Sequence, residues 1–254
     1  MSGSGTYLYA VTRPLAGSSL EGVRGIGGQP VRTVAAGEVA CVVSTVGLDE
    51  FGEEPLQRNL EDLAWLERVA REHDAVVEAL ADRTTVVPLR LGAVYVDDDS
   101  AAARVARLRS AALATLDVLD GREEWGVKVY AVELPVQNGT GPAERPSSGL
   151  EYLRRRRGEL ERKAVDAQAL AQDADSVFED LRTVAVLARR HRPQDPALSG
   201  VKQPMLLNAA FLVGRDGRPE FHHAVDRLAQ SRPEGAVVLT GPWPPYSFAT
   251  LDDA

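Results

Sequence analysis

Gly241-Pro242-Trp243-Pro244-Pro245-Tyr246-Ser247-Phe248 puts three prolines and three aromatic residues into eight positions near the end of the chain. Proline fixes φ and removes a backbone donor, so this stretch is neither a helix interior nor a central strand. It reads as a stiff, extended or turning segment with little freedom to lose on ordering. Its three rings carry a large apolar area that a folded chain normally covers. Gly235–Thr240, just upstream, reads as a buried strand, so the segment leaves a strand edge and must lie on something. One reading makes it a plug in its own domain; the other has some rings meeting a partner. The expected arrangement folds Trp243, Tyr246 and Phe248 back over the sheet that carries Phe211 and Leu212. In it Trp243 acts as the plug and Phe248 is partly exposed.

The second constraint is a helix predicted over 149–181. Leu153, Leu160, Ala167, Ala174 and Leu181 repeat every seven residues, interleaved with Leu150, Ala164, Ala171 and Phe178, with Arg157 as the exception in that second set. That alternation is a coiled-coil-like seam. The basic run Arg154–Arg157 is flanked by Glu151, Glu159 and Glu161 at pairing distances and reads as a solvated charged face. Strands at 183–189, 203–213 and 236–240 and a helix at 219–231 complete this half.

The N-terminal half opens with strands at 6–12, 31–35 and 38–46, the last two joined by a tight hairpin at Ala36-Gly37. A helix is predicted over 56–82 from the stripe Leu56, Leu60, Leu63, Leu66, Ala70, Val77 and Leu80. His73 falls on that stripe and reads as a core histidine satisfied by a neighbouring backbone group. A ligand or general base would want a partner three or four residues on, where Val76 and Val77 stand. Val86–Val96 reads as a strand pair broken by Gly92. Asp97-Asp98-Asp99 caps a helix at 100–119, and 125–134 is a strand. The order predicts an α+β protein of two domains, each an elaborated ferredoxin-like mixed or antiparallel sheet with helices on one face. The expected boundaries are 1–135 and 149–254, with a Gly/Pro-rich linker at 136–148.

Composition limits the chemistry. The 254 residues carry a formal net charge of −8, against a nucleic-acid partner. No apolar run approaches the roughly 20 residues of a membrane span, and the N-terminus lacks a signal-peptide pattern. The single cysteine, Cys41, lies in an apolar strand and reads as an inert thiol. Gly25-Ile26-Gly27-Gly28 resembles a phosphate loop only superficially, because Pro30 and a strand follow instead of a helix. His222 and His223 are adjacent and cannot share a helical face. No nucleophile elbow, Walker loop or zinc spacing occurs, so no catalytic, cofactor or metal residue is expected.

The octapeptide, following a strand and the upstream run Met205–Val213, resembles the gas vesicle protein family GvpL/GvpF. Tyr7-Leu8-Tyr9-Ala10-Val11 is similar to the family's opening strand, and Thr85–Val94 to its central segment, with Leu91 in place of an expected Phe. The resemblance covers nearly the whole chain. It implies a non-enzymatic, cytoplasmic accessory or minor structural protein of the gas vesicle. Its implied partners are the hydrophobic shell protein and other gas vesicle accessory proteins. Phe211, Leu212, Trp243, Tyr246 and Phe248 would border the shell-protein contact. The alternative is a ferredoxin-like enzyme or sensor for a small molecule, which would need a deep pocket lined by His73, His191 or His222.

Overall fold

The computed structural model describes residues 3–16, 20–131, 149–194, 203–233 and 235–251, with the side chains of 149–155 and 159–167 left aside. The expected linker at 136–148 and most of the expected seam before Ala171 lie outside these described residues, as do Arg154 and Arg155 of the basic run. The chain forms an α+β protein with two sheets. One unit is Met1–Glu124 together with Pro242–Ala254; the other is Trp125–Gly241. This differs from the expected split into 1–135 and 149–254. The octapeptide from Pro242 onward joins the N-terminal unit.

In the first unit, β1 (Ser4–Thr12) lies at the centre of a sheet ordered β2-β3-β1-β4, with β5 also on β1. Here β2 is Arg32–Ala36, β3 is Val39–Gly47, β4 is Val86–Pro88 and β5 is Val94–Tyr95. β2, β4 and β5 are all antiparallel to their neighbours. The β2–β3 hairpin turns at Gly37, whose φ of 74° suits a residue without Cβ. β1 pairs with β3 antiparallel, with a register shift between Leu8 and Ala10.

Every residue of β1 after Ser4 is buried. A strand without polar alternation is covered on both faces, and both faces here carry helices. α3 (Leu63–Ala81) packs Val69, His73, Val76, Val77 and Leu80 against Tyr7, Tyr9 and Val42. Cys41, the neighbour of Val42, points the other way, its thiol 3.9 Å from the Ala101 carbonyl of α4 (Asp98–Arg107). α5 (Arg109–Leu119) lies against β4 and β3 on the same side. The expectation of helices on one face is therefore corrected. Burial pushes the Cys41 thiol up to about 11, which keeps it in the unreactive form.

The expected helix over 56–82 is two helices. After a short α1 (Leu48–Phe51), α2 (Glu53–Asn59) ends and α3 begins anew. Asp62 caps α3 by accepting from the amides of Ala64 and Trp65, satisfying donors that a helix start leaves orphaned. The expected 100–119 helix likewise breaks at Leu108 into α4 and α5. Asp97 caps α4 as expected, accepting from Ser100 N at 2.8 Å. Asp98 then ties α4 to the sheet by accepting from Thr6 Oγ1 at 2.7 Å and from two nitrogens of Arg32 at 2.6 and 3.0 Å.

In the second unit the sheet order is β7-β8-β6-β9. Here β6 is Arg122–Tyr130, β7 is Leu187–Arg190, β8 is Met205–Gly214 and β9 is Val237–Trp243. β6 and β9 each begin or end across the boundary between the units. α6 (Gly149–Arg182, 34 residues) is roughly 50 Å long at 1.5 Å per residue. Its last turns bury Ala174, Val177 and Leu181 against Val127, Val129, Leu207 and Phe211. α7 (Arg218–Gln230) adds Phe221, Ala224 and Val225 to the same core. The strand expected at 183–189 starts four residues late, because Thr183 Oγ1 folds back onto the Asp180 carbonyl and extends the helix end.

Candidate functional site

The polar centre of the first unit is built on β1. Tyr7 and Tyr9, two residues apart, both point from it toward α3 as strand alternation requires, and the β1–β3 register shift at Tyr9 brings Ala10 onto the same side, opposite Val42. The Tyr7 hydroxyl lies 3.0 Å from His73 Nδ1 and accepts from the Gly92 amide at 3.1 Å. The Tyr9 hydroxyl shares a 2.7 Å hydrogen bond with Ser44 Oγ and accepts from the Ile26 amide at 2.8 Å. The rings pack among themselves, with Tyr7 and Tyr9 centroids 4.8 Å apart and His73 5.5–5.7 Å from each.

His73 is a core residue, as its place on the helical stripe predicts; its Nδ1 faces the Tyr7 hydroxyl, and the Leu89 backbone carbonyl also acts on the ring. Nε2 is buried without a hydrogen bond of good geometry. Burial pushes the His73 imidazole down from its ordinary range, against the opposing pull of the Asp74 carboxylate and the Leu89 carbonyl. Burial also raises both tyrosine hydroxyls. Burial thus keeps both tyrosine hydroxyls protonated and the imidazole neutral near pH 7.

This lowered pKa makes stability pH-dependent. Above about pH 6.5 the imidazole is neutral in both folded and unfolded chains. Below it the unfolded chain takes up a proton that the folded one resists, so stability falls as pH falls, by at most about 1.4 kcal/mol per pH unit from this group. Urea midpoints of wild type and His73→Gln, compared from about pH 8 to 5, should diverge, the variant showing the flatter profile. Parallel profiles would remove His73 from the account.

The C-terminal segment closes over this cluster. Tyr246 stacks beside His73 at 6.2 Å, and its hydroxyl donates to Asp74 Oδ1 at 2.8 Å. Ser247 gives both its amide and its hydroxyl to the Glu124 carboxylate, at 2.8 and 2.6 Å. Phe248 is buried at 8% exposure, and Thr115 Oγ1 reaches the Thr250 carbonyl at 3.4 Å. The expected fold-back was onto the Phe211–Leu212 sheet; the hydrogen bonds of Tyr246, Ser247 and Thr250 are with the first unit. Phe211 lies in the core of the second unit and Leu212 is fully buried, while Tyr246 packs on the core of the first. The expected roles of the rings are also reversed, since Trp243 is 48% exposed and Phe248 is the plug. Prolines at 242, 244 and 245 prevent the regular alternation from which ring directions could have been read.

The glycine loop does not present an anion cradle. Ile26–Gly28 forms one 3-10 turn; its Ile26 amide is spent on Tyr9, and its Gly27 amide donates to Glu72 Oε2 at 3.0 Å. The acceptor is the chain's own carboxylate. In the second unit, His222 meets the Trp125 ring edge-on at 4.4 Å while His223 is exposed. The two adjacent rings diverge, as their spacing requires. A surface cleft of about 290 Å³ lies between the end of α6 and α7, lined by Asp180, Leu181, Thr183, Val184, Ala224, Arg227 and Leu228. None of the histidines named for a small-molecule site lines it. Among the described residues no three metal-ligating side chains converge, and no helix is long and apolar enough to cross a membrane.

Comparison with known proteins adds what geometry alone does not carry. The family described as gas vesicle synthesis protein GvpL/GvpF matches residues 5–250. The chain is 43% identical over 248 residues to gas vesicle protein L of Streptomyces sp. (strain CB03234), covering 96% of this chain and 92% of that one. It is 30% identical over 256 residues to gas vesicle protein F of the same organism, covering 96% and 98%. The crystal structure of GvpF from Anabaena sp. PCC7120 superposes with a TM-score of 0.69 at 18% identity, over 98% of each chain. That of GvpF from Microcystis aeruginosa gives 0.65 at 20% identity, over 97% and 99%.

Proposed function

Because the chain belongs to the GvpL/GvpF family of gas vesicle synthesis proteins, we propose that it acts without catalysis in vesicle assembly. It binds the hydrophobic shell protein and other gas vesicle accessory proteins in the cytoplasm, at the gas vesicle. In the same reading each sheet with its helices is an elaborated ferredoxin-like module, and Gly149–Arg182 is a coiled-coil-like arm.

The observation that carries the proposal is Trp243. A half-exposed indole stands between Pro242 and Pro244, while Tyr246, Ser247 and Phe248 are tied down a few residues later. An aromatic ring on an anchored, proline-stiffened backbone loses little entropy on binding and is the commonest kind of interface hot spot. A shell subunit too apolar to remain dispersed needs such contacts on an otherwise charged carrier. Tyr246 and Phe248 support the contact by fixing Trp243. Phe211 and Leu212 support it only by holding the β8 core.

Trp243→Ala should weaken capture of purified shell protein at least tenfold, about 1.4 kcal/mol. Its melting temperature should stay within about 2 °C of wild type, as for an exposed site. Undiminished capture would remove Trp243 from the interface.

A further inference from the structure

We propose that the outer edge of β7 is a docking site for an acidic, extended peptide segment, which adds to the second sheet as a further strand. A free sheet edge is a template for pairing, and folded proteins usually blunt it. Among the described residues the other edge strands are blunted, β5 being only two residues long. β2 is covered by α4 and tied by the Arg32–Asp98 pair. β4 is three residues long and ends in Pro88. β9 carries Gly241 and Pro242. β7 has neither proline nor glycine, and nothing pairs with its outer side among the described residues. Val186 and Leu187 are 48% and 43% exposed along it.

What guards this edge is positive charge, in a chain whose formal charge is −8. Arg189, Arg190 and Arg192 follow the apolar pair, and strand alternation divides their roles. Arg190 turns toward the helix face, bound to Asp175 at 2.5 Å and stacked 4.2 Å over Phe178. Ala188, on the same side, packs on the core. Leu187 and Arg189 therefore share the opposite face, and neither the Arg189 nor the Arg192 guanidinium has a partner among the described residues. A second β7 would bring arginine beside arginine, which argues against self-pairing. A strand with an apolar residue opposite Leu187 and a carboxylate opposite Arg189 meets both features. Main-chain hydrogen bonds supply its affinity and these side chains its selectivity. This site is separate from Trp243, and its test uses no gas vesicle component, so either proposal can fail alone.

The probe is a fluorescein-labelled eight-residue peptide alternating valine and glutamate, titrated with the full chain and read by anisotropy. Saturable binding that weakens with salt is expected. Arg189→Glu should weaken it at least tenfold with an unchanged circular-dichroism melt. The same variant should gain binding to the matching valine–lysine peptide. Absence of saturable binding to wild type would overturn the proposal. So would equal binding of the lysine peptide by wild type, or failure of the charge swap. Equal affinity for polyglutamate or heparin would also overturn it, because a bare cationic patch needs no added strand.

Discussion

Phe248→Ala should destabilise the unit built on β1 by about 3–5 kcal/mol, the usual cost of emptying a buried aromatic site. For a chain of this size that is a fall in melting temperature on the order of 10 °C. Phe248 is almost wholly buried, and the segment around it is pinned by Tyr246 to Asp74 and by Ser247 to Glu124. The site cannot collapse easily, which places the cost towards the upper part of that range. The neighbouring truncation Trp243→Ala should barely move the same melt, since its indole is half in water. A larger loss at Trp243 than at Phe248, by differential scanning calorimetry, would reverse the assignment of plug and contact.

The second large effect is at Gly25. A Cβ there would stand 2.4 Å from the Tyr9 hydroxyl and 2.9 Å from Ser44 Oγ. Neither atom is free to retreat. Tyr9 and Ser44 are buried, bonded to each other, and Tyr9 also accepts the Ile26 amide. Gly25→Ala should therefore combine overpacking with the loss of one or more buried hydrogen bonds, roughly 3–5 kcal/mol in sum. Gly27, two residues on, has open space around its Cβ position but a φ of 63°. Gly27→Ala should cost only the left-handed backbone penalty, about 1–2 kcal/mol. Urea midpoints of the two variants test this directly; equal midpoints would mean that the Tyr9–Ser44 pair yields to a methyl group.

Both predictions concern features that the sequence announced without locating. The octapeptide was legible as a stiff aromatic segment that must be covered, and the structure covers two of its three rings. Which surface receives it was not legible. Sequence neighbours suggested the sheet of Phe211, but the acceptors are Asp74 and Glu124, far away in the chain. Hydrogen bonds of that separation leave no periodic trace. The glycine loop was legible as something other than a phosphate site, and Glu72 supplies the physical reason by occupying the Gly27 amide. The candidate contact narrowed for a similar reason. Phe211 and Leu212 look like any apolar pair in sequence, and only the packing of α6 and α7 shows Phe211 to be the centre of a core.

Some elements were determined locally. Asp97 caps its helix because a carboxylate before a helical run satisfies the first amides wherever it occurs. Ala36-Gly37 turns a hairpin because glycine accepts positive φ. The length of α6 follows from a helical pattern that runs, with Arg157 as its one break, from Leu150 to Leu181 without a proline. Asp62 caps a helix in the same way as Asp97 and divides the expected 56–82 helix, and Leu60 and Leu63 of the stripe on which that expectation rests are exposed. The unbroken burial of β1 was written in Tyr-Leu-Tyr-Ala-Val, whose lack of alternation requires two covered faces. Tertiary structure alone decided which helix covers which face, that His73 pairs with Tyr7, and that the last residues of the chain complete the first unit. Local pattern selects elements through short-range sterics and capping. The choice among equally apolar surfaces is made by packing and long-range hydrogen bonds, which depend on the whole chain at once.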